Sequence, residues 1–176
     1  VIFYSERSKK MKKQVFTYAA DKKFDLRHIR PADAIWANMR NKPTSGGIWT
    51  SSLKEDSSAW LDWCHKAGFG KWEKAAILTP KHDVKIYVID SFERLDKVSW
   101  HVKGVNRRSI YFEKLENEGF HGVQATEKAV MELGFFPAEA DILDLNAWDC
   151  ESTFWFNAEW VQAVEIKEVK NYKIQM

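Results

Sequence analysis

The side chains that most often do chemistry in proteins are spaced here in ways that argue against several kinds of site. None of the five His residues pairs with another at a spacing typical of metal ligands. The only two Cys residues, Cys64 and Cys150, are far apart and make no disulfide framework. Cys64 and His65 are adjacent, so on a helix their side chains point in different directions. We therefore expect no metal site and no Cys–His nucleophile.

No sequence motif of a common nucleotide or hydrolase site is present. The chain has no G-x-G-x-x-G, no Walker A motif, no G-x-S-x-G and no H-E-x-x-H. It has many carboxylates, but their spacing does not identify a pair for glycoside hydrolysis. The function must therefore be inferred from weaker patterns of glycine, hydroxyl and aromatic residues.

Three segments carry such patterns. The first is residues 42–52, KPTSGGIWTSS, followed by an amphipathic stretch at residues 58–64. The second is residues 119–123, GFHGV, and the third is residues 150–161, CESTFWFNAEWV. In this order they resemble the ADP-ribosyltransferase-like superfamily, in its small phage and prophage members, over about residues 14–170.

Each segment resembles one element of that superfamily. The first is similar to a strand and helix in which the strand places a Ser or Thr and an aromatic ring around nicotinamide. The second is similar to a strand with the pattern aromatic, Asp, Gly, aliphatic, with His121 in place of the Asp. The third is similar to the strand that carries the catalytic Glu, although the matching position is Ser152 and Glu151 is one residue away. Adjacent strand residues face opposite sides, so without a β-bulge Glu151 is expected to point away from the pocket.

The resemblance implies an NAD-dependent mono-ADP-ribosyltransferase of phage or mobile-element type, with NAD as substrate, no metal, and a host protein or nucleic acid as acceptor. It gives Glu151 the role of stabilising the oxocarbenium-like state and taking a proton from the acceptor. Ser51 or Thr50 then holds the carboxamide. The resemblance also implies that the rings of Tyr18 and Trp49 stack on the rings of NAD. Arg30, Lys42 and the Gly46-Gly47 amides then contact the pyrophosphate, and His28 contacts the adenosine ribose.

These candidates also have purely structural interpretations. A Trp such as Trp49 more often packs in the core than lines a pocket. Gly47 lies in a segment whose composition is typical of a turn. His28 stands in a polar loop, and Glu151 has the features of a solvated carboxylate. The first alternative to an enzyme is accordingly a non-catalytic module of the same fold that binds a nucleotide or a protein.

The charge of the chain favours a second alternative. Residues 1–54 contain 12 Lys or Arg and 4 Asp or Glu, although the net charge of the whole chain is only +2. Aromatic residues Tyr18, Phe24 and Trp36 are interleaved with these cations, a pattern that suits a single-stranded nucleic-acid-binding protein. Five of the cations lie within residues 7–13, however, which is typical of a solvated tail.

Hydrophobic periodicity predicts an α+β fold with mixed or antiparallel sheets and short flanking helices, of the ADP-ribosyltransferase-like kind. Residues 1–12 are expected to be a flexible segment or upstream extension, and residues 13–176 a single domain. The predicted strands are 14–19, 48–51, 72–79, 84–90, 121–125, 152–156 and 161–169. The predicted helices are 31–39, 57–67, 91–98, 109–118 and 127–133.

Aromatic residues make up 14% of the chain and include nine Trp. Most are expected in the core, with Trp100, Trp148 and Trp160 at its edges and with Trp49, Tyr18 and Trp36 forming an exposed ring platform. No apolar run approaches the roughly 18 residues that span a membrane. Because the two Cys suit a reducing compartment, we expect a cytoplasmic protein.

Overall fold

A computed structural model describes residues 11–32, 41–43, 45–101, 103–104, 107–134 and 143–176. Within these residues the fold is α+β, with an eight-stranded mixed sheet, a separate two-stranded sheet and short helices. The predicted class is therefore confirmed. Most of the helix predicted over residues 31–39, and nearly all of the N-terminal segment, lie outside the described residues.

The large sheet is antiparallel except for one pair of strands. The strands in chain order are β1 (Gln14–Tyr18), β2 (Ile48–Ser52), β3 (Lys74–Pro80), β4 (Ile86–Ile89), β5 (Ser99–His101), β6 (Arg108–Ile110), β7 (Gly122–Ala125), β8 (Ser152–Trp155), β9 (Val161–Lys170) and β10 (Lys173–Ile174). Their order in the large sheet is β10-β9-β3-β1-β2-β8-β7-β4, and β4 with β7 is the parallel pair. Strands β5 and β6 form the small sheet.

Four short helices are described, and three of them begin at a hydroxyl side chain that caps the first turn. They are α1 (Ala59–Ala67), α2 (Phe92–Lys97), α3 (Phe112–Asn117) and α4 (Glu127–Leu133). The hydroxyls of Ser58, Ser91 and Thr126 accept hydrogen bonds from backbone N–H groups in the first turns of α1, α2 and α4. Helix α1 ends at Gly68, whose φ of 62° suits a residue without a Cβ.

The helix predicted over residues 109–118 is wrong in its first half. Residues Arg108–Ile110 form β6, which pairs with β5, and helix α3 starts only at Phe112. The buried side chain of Asn41 accepts hydrogen bonds from Ser109 Oγ and from the Ile110 N–H. This tertiary contact stabilises an extended backbone that local periodicity does not reveal.

The chain also reverses once more than expected after β9. Asn171 and Tyr172 both have positive φ, 50° and 60°, and they turn the chain into β10. Of these two residues, Asn171 is the type that adopts the left-handed region of φ and ψ more readily.

The aromatic residues are distributed differently from the sequence prediction. Trp148 and Trp160 are 2% and 0% exposed, so they lie inside the core rather than at its edges. Trp160 stacks on Trp155 at 3.6 Å between ring centroids. Trp100, in contrast, is 41% exposed and stacks on Tyr111.

Strands β1 and β2 diverge in the middle of the sheet. They pair only at Gln14 with Ser52 and Val15 with Ser51, although both strands have five residues. On its other side β1 pairs with β3 along its whole length. A gap between β1 and β2 therefore opens beyond Val15, next to the segment of β2 that carries the candidate site residues.

Among the described residues, no helix combines the length and the apolar character needed to cross a membrane.

Candidate functional site

A cavity of about 380 Å³ opens where β1 and β2 diverge. This volume is within the range of small-molecule sites, about 300–1,000 Å³. Its walls contain four indole rings, and its polar groups come from the strands and from the irregular segments before β2 and before β8. The lining residues are Val15, Phe16, Thr17, Lys42, Trp49, Thr50, Ser51, Trp60, Trp72, Trp148, Asp149 and Ser152. We call this space the Trp-lined cavity.

Strand geometry explains which side chains point into the cavity. Along β2, Trp49 and Ser51 share one face of the sheet, and Ile48, Thr50 and Ser52 share the other. Trp49 is paired with Phe154 of β8. Thr50 also lines the cavity despite facing the other side, because the adjacent edge of β2 is uncovered in the gap.

The ring of Trp49 is fixed from three sides. It meets Trp148 edge-on at 4.8 Å between centroids and Phe154 at 5.0 Å. Its Nε1 donates to the carbonyl of Pro43 at 2.9 Å. The polar end of the indole is therefore satisfied by the protein, and the ring is held rigidly beside the cavity.

An ion pair lies at the edge of the cavity. Lys42 Nζ is 2.7 Å from Asp149 Oδ2, and both side chains are about one-third exposed. The same ammonium lies 5.8 Å from the centroid of Trp49. This pair supplies the charged groups of the cavity lining, beside rings that are otherwise apolar.

A buried asparagine positions this part of the wall. Asn41, which has a φ of 55°, donates from Nδ2 to the Asp144 carbonyl at 2.7 Å. The backbone carbonyl of Asn41 accepts a hydrogen bond from Trp148 Nε1 at 2.7 Å. Asn41 directly precedes Lys42 and connects this part of the chain to β6, Asp144 and Trp148. It thereby fixes the Trp148 ring and the backbone that presents Lys42.

Helix α1 supplies the opposite wall. Trp60 Nε1 donates to Thr17 Oγ1 at 3.0 Å, and the Trp60 N–H donates to Ser51 Oγ at 3.4 Å. The helix is therefore tied to both β1 and β2. A hydroxyl that accepts one bond still has a proton to donate, so Ser51 can act as a donor in the cavity.

Glu151 lies on the other face of the sheet from Ser51. Its carboxylate accepts from Ser52 N–H at 3.0 Å, from Ser52 Oγ at 2.9 Å and from Gln124 Nε2 at 2.7 Å. Ser52 and Gln124 belong to a polar cluster with Gln14 and Thr50 on that face. The expectation that Glu151 points away from Ser51 and Trp49 is confirmed, and Glu151 is not among the residues that line the cavity.

The remaining predicted residues are dispersed. Tyr18 is 8% exposed and packs with Phe16 and Phe24, in a different apolar cluster from the one that Trp49 packs against. His28 and Arg30 are exposed and do not line the cavity. Of the nine predicted site residues, the structure brings together four, which are Lys42, Trp49, Thr50 and Ser51.

Gly47 has a packing role. Its φ is +63°, and a Cβ there would lie 2.5 Å from the Trp155 carbonyl oxygen and 2.6 Å from the Phe154 ring. Its N–H donates to the Arg30 carbonyl at 2.8 Å. The turn interpretation of this glycine thus accounts for its contacts, and its amide is already bonded within the protein.

Neither thiol is prepared for nucleophilic chemistry. Burial raises the pKa of Cys150 to about 12, and burial also raises the pKa of Cys64. Cys64 Sγ accepts a hydrogen bond from Trp72 Nε1 at 3.2 Å. Both residues therefore stay protonated near neutral pH, as expected for structural cysteines. Among the described residues, no group of His, Cys, Asp and Glu is arranged to hold a metal ion.

Eight lining residues were not among the predicted site residues. They are Val15, Phe16, Thr17, Trp60, Trp72, Trp148, Asp149 and Ser152. Ser152 lies in β8, and Trp72 lies just before β3. Asp149 and Trp148 belong to an irregular segment, where no periodicity indicates the direction of a side chain.

Comparisons of the chain with models of known protein families, with curated proteins and with solved structures gave no significant match.

Proposed function

We propose that this protein binds a planar aromatic ligand with an attached anionic group, of the nucleotide class, in the Trp-lined cavity. The observation that carries the proposal is the presence of four Trp residues around one cavity that also has an ammonium group in its lining. Indole rings offer flat apolar faces on which a base or a nicotinamide ring stacks. NAD is the first ligand to test.

The polar groups of the cavity suit such a ligand. The Ser51 hydroxyl and the Ser152 hydroxyl lie on the same face as the Trp49 ring, where they can bond the exocyclic groups of a planar ring. Lys42 at the edge can contact a phosphate as a point charge. Sites of this kind are largely apolar and take their orientation from a few placed polar groups.

Titration calorimetry with NAD, AMP and nicotinamide tests the proposal. We expect binding by wild type and a loss of about 10-fold or more in Trp60→Leu, since base–aromatic stacking contributes about 1–3 kcal/mol. Trp100→Leu is the matched control, because Trp100 is also partly exposed but does not line the cavity. Absence of binding by wild type, or an equal loss in both variants, contradicts the proposal.

A second candidate function is ADP-ribosyl transfer from NAD. One observation favours it: the three segments that resemble the superfamily include β2, the start of β7 and β8, and these strands are adjacent in the sheet in the order β2-β8-β7. In this reaction the bond between ribose C1′ and nicotinamide breaks, and nicotinamide leaves with the electron pair. A bond then forms between C1′ and the acceptor, whose proton passes to a carboxylate.

The carboxylate for this step is best assigned to Asp149, which lines the cavity, whereas Glu151 is held on the other face by Ser52 and Gln124. Release of nicotinamide from NAD, followed by chromatography, tests the assignment. We expect the release to be lost in Asp149→Asn and retained in Glu151→Gln. Loss in Glu151→Gln alone returns the role to Glu151, and no release by wild type leaves binding as the function.

A further inference from the structure

Beside the Trp-lined cavity, four aromatic rings form a continuous cluster on the surface of α1 and the loop that follows it. The cluster consists of Trp60, Trp63, Phe69 and Trp72. Trp60 stacks on Trp63 at 5.2 Å between centroids with 15° between the ring planes. Phe69 lies 5.5 Å from Trp63 and 5.9 Å from Trp60. We call these four residues the outer ring cluster.

The outer ring cluster is continuous with the cavity. Trp60 and Trp72 line the cavity and also belong to the cluster, where their centroids are 6.0 Å apart. Trp63 and Phe69 extend the aromatic surface away from the cavity, since neither is among its lining residues. Phe69 is 49% exposed, although an aromatic ring of this size normally gains stability from full burial.

The backbone holds Phe69 in this exposed position. The chain leaves α1 through Gly68 at a φ of 62°, and the Phe69 N–H donates to the Cys64 carbonyl at 2.9 Å. Gly70, with a φ of 68°, then turns the chain to Trp72. The Tyr172 hydroxyl donates to the Gly70 carbonyl at 3.0 Å, so the turn between β9 and β10 supports this loop.

Resting on the proposed function, we propose that the ligand has two planar rings joined by an anionic linker, and that its second ring stacks on Phe69 and Trp63 of the outer ring cluster. Exposed apolar surface that is fixed by the backbone and adjoins a pocket marks a binding surface. The exposed side chains of Lys66 and Lys71 come from the end of α1 and from the loop next to Trp72. They add positive charge to the two chain segments that carry the outer ring cluster.

Two sources supply this chemistry, a dinucleotide such as NAD and the end of a single-stranded nucleic acid. In a nucleic acid, successive bases stack on successive aromatic side chains while the backbone follows cationic groups. The two sources differ in what lies beyond the second ring, because only a nucleic acid continues with further phosphates.

Calorimetry with AMP, NAD and the phosphodiester-linked dinucleotide pApA tests the second ring. We expect wild type to bind NAD or pApA about 10-fold more tightly than AMP, because stacking adds about 1–3 kcal/mol per base. Phe69→Ala is expected to remove this gain and leave the affinity for AMP unchanged. Trp60→Leu is expected to weaken all the ligands, and Trp100→Ala none of them.

The outcomes separate this inference from the proposed function. If AMP binds but the two-ring ligands bind no more tightly, or if Phe69→Ala weakens AMP as much as the two-ring ligands, the second-ring site is wrong and the cavity proposal stands. If AMP, NAD and pApA all fail to bind, both proposals are wrong. An increase in affinity from pApA to longer oligonucleotides, with a steep dependence on salt, assigns the ligand to nucleic acid. Tighter binding of NAD than of pApA assigns it to a dinucleotide with a pyrophosphate linker, such as NAD.

Discussion

The ammonium of Lys42 lies 2.7 Å from the carboxylate of Asp149 at the edge of the Trp-lined cavity. Because both side chains are about one-third exposed, the attraction between them is partly screened by water. A ligand at this edge therefore meets an ion pair with almost no net charge. Substituting one of the two residues changes the sign of the electrostatic potential there.

Substitutions of Asp149 and of Lys42 are expected to have opposite effects on the affinity for anionic ligands. Asp149→Asn removes a negative charge next to Lys42, so AMP should bind about 2- to 5-fold more tightly, in keeping with about 0.2–1 kcal/mol for a partly exposed pair. Lys42→Met should weaken AMP by a similar factor. Adenosine, which has no phosphate, is the control ligand, and its affinity should stay the same in calorimetry. A parallel change for adenosine contradicts an electrostatic origin.

Gly47→Ala is expected to lower the free energy of unfolding by about 2–4 kcal/mol. An alanine there must adopt an unfavourable positive φ, and its Cβ would also lie within 2.6 Å of the Phe154 ring and the Trp155 carbonyl oxygen. Gly68→Ala is the matched control, since Gly68 has nearly the same φ, 62°, and no heavy atom lies within 4 Å of the position that a Cβ would take there. It should cost only about 1 kcal/mol. Equal losses in urea denaturation contradict the packing role of Gly47.

The stability of the fold is expected to depend on pH through Cys150. The pKa of its thiol is raised to about 12 in the folded protein, mainly by burial, while the unfolded chain ionises near the ordinary value of 9. The contribution of Cys150 is therefore complete below about pH 9 and is lost as the pH rises toward 12. In this window wild type should lose about 1.4 kcal/mol per pH unit relative to Cys150→Ser.

Urea denaturation of both proteins between pH 8 and pH 11 measures this difference, because the other titrating groups are common to the two. Parallel stability curves would contradict the assigned cause. The native protein should also react slowly with iodoacetamide at pH 8, since the thiolate is the reactive species.

Local sequence patterns were sufficient where a single segment determines its own structure. Helix α4 has the predicted bounds because Thr126 caps it and Gly134 follows it, and both signals lie within nine residues. Strand β2 was likewise predicted over residues 48–51 from its own segment, and the structure extends it to Ser52.

Features that depend on distant residues were not predicted. Strand β6 pairs with β5 and is bonded to Asn41, about 70 residues earlier in the chain, through Ser109 Oγ and the Ile110 N–H. The cavity depends on the divergence of β1 from β2, and its wall depends on Trp148 and Asp149, which come from an irregular segment. Periodicity within one segment contains no information about which segments meet, and for that reason eight lining residues were missed and Tyr18 was grouped with Trp49.

The short junction between β1 and β2 affects how easily the large sheet opens locally. With only two paired positions at the centre of the large sheet, the half β10-β9-β3-β1 and the half β2-β8-β7-β4 share little backbone hydrogen bonding with each other. Amide hydrogens near such a seam exchange through local opening events, which require less free energy than global unfolding. A ligand in the Trp-lined cavity would contact residues of both halves. Its binding would therefore raise the free energy needed to open the sheet locally, and amide exchange would become slower on both sides of the seam.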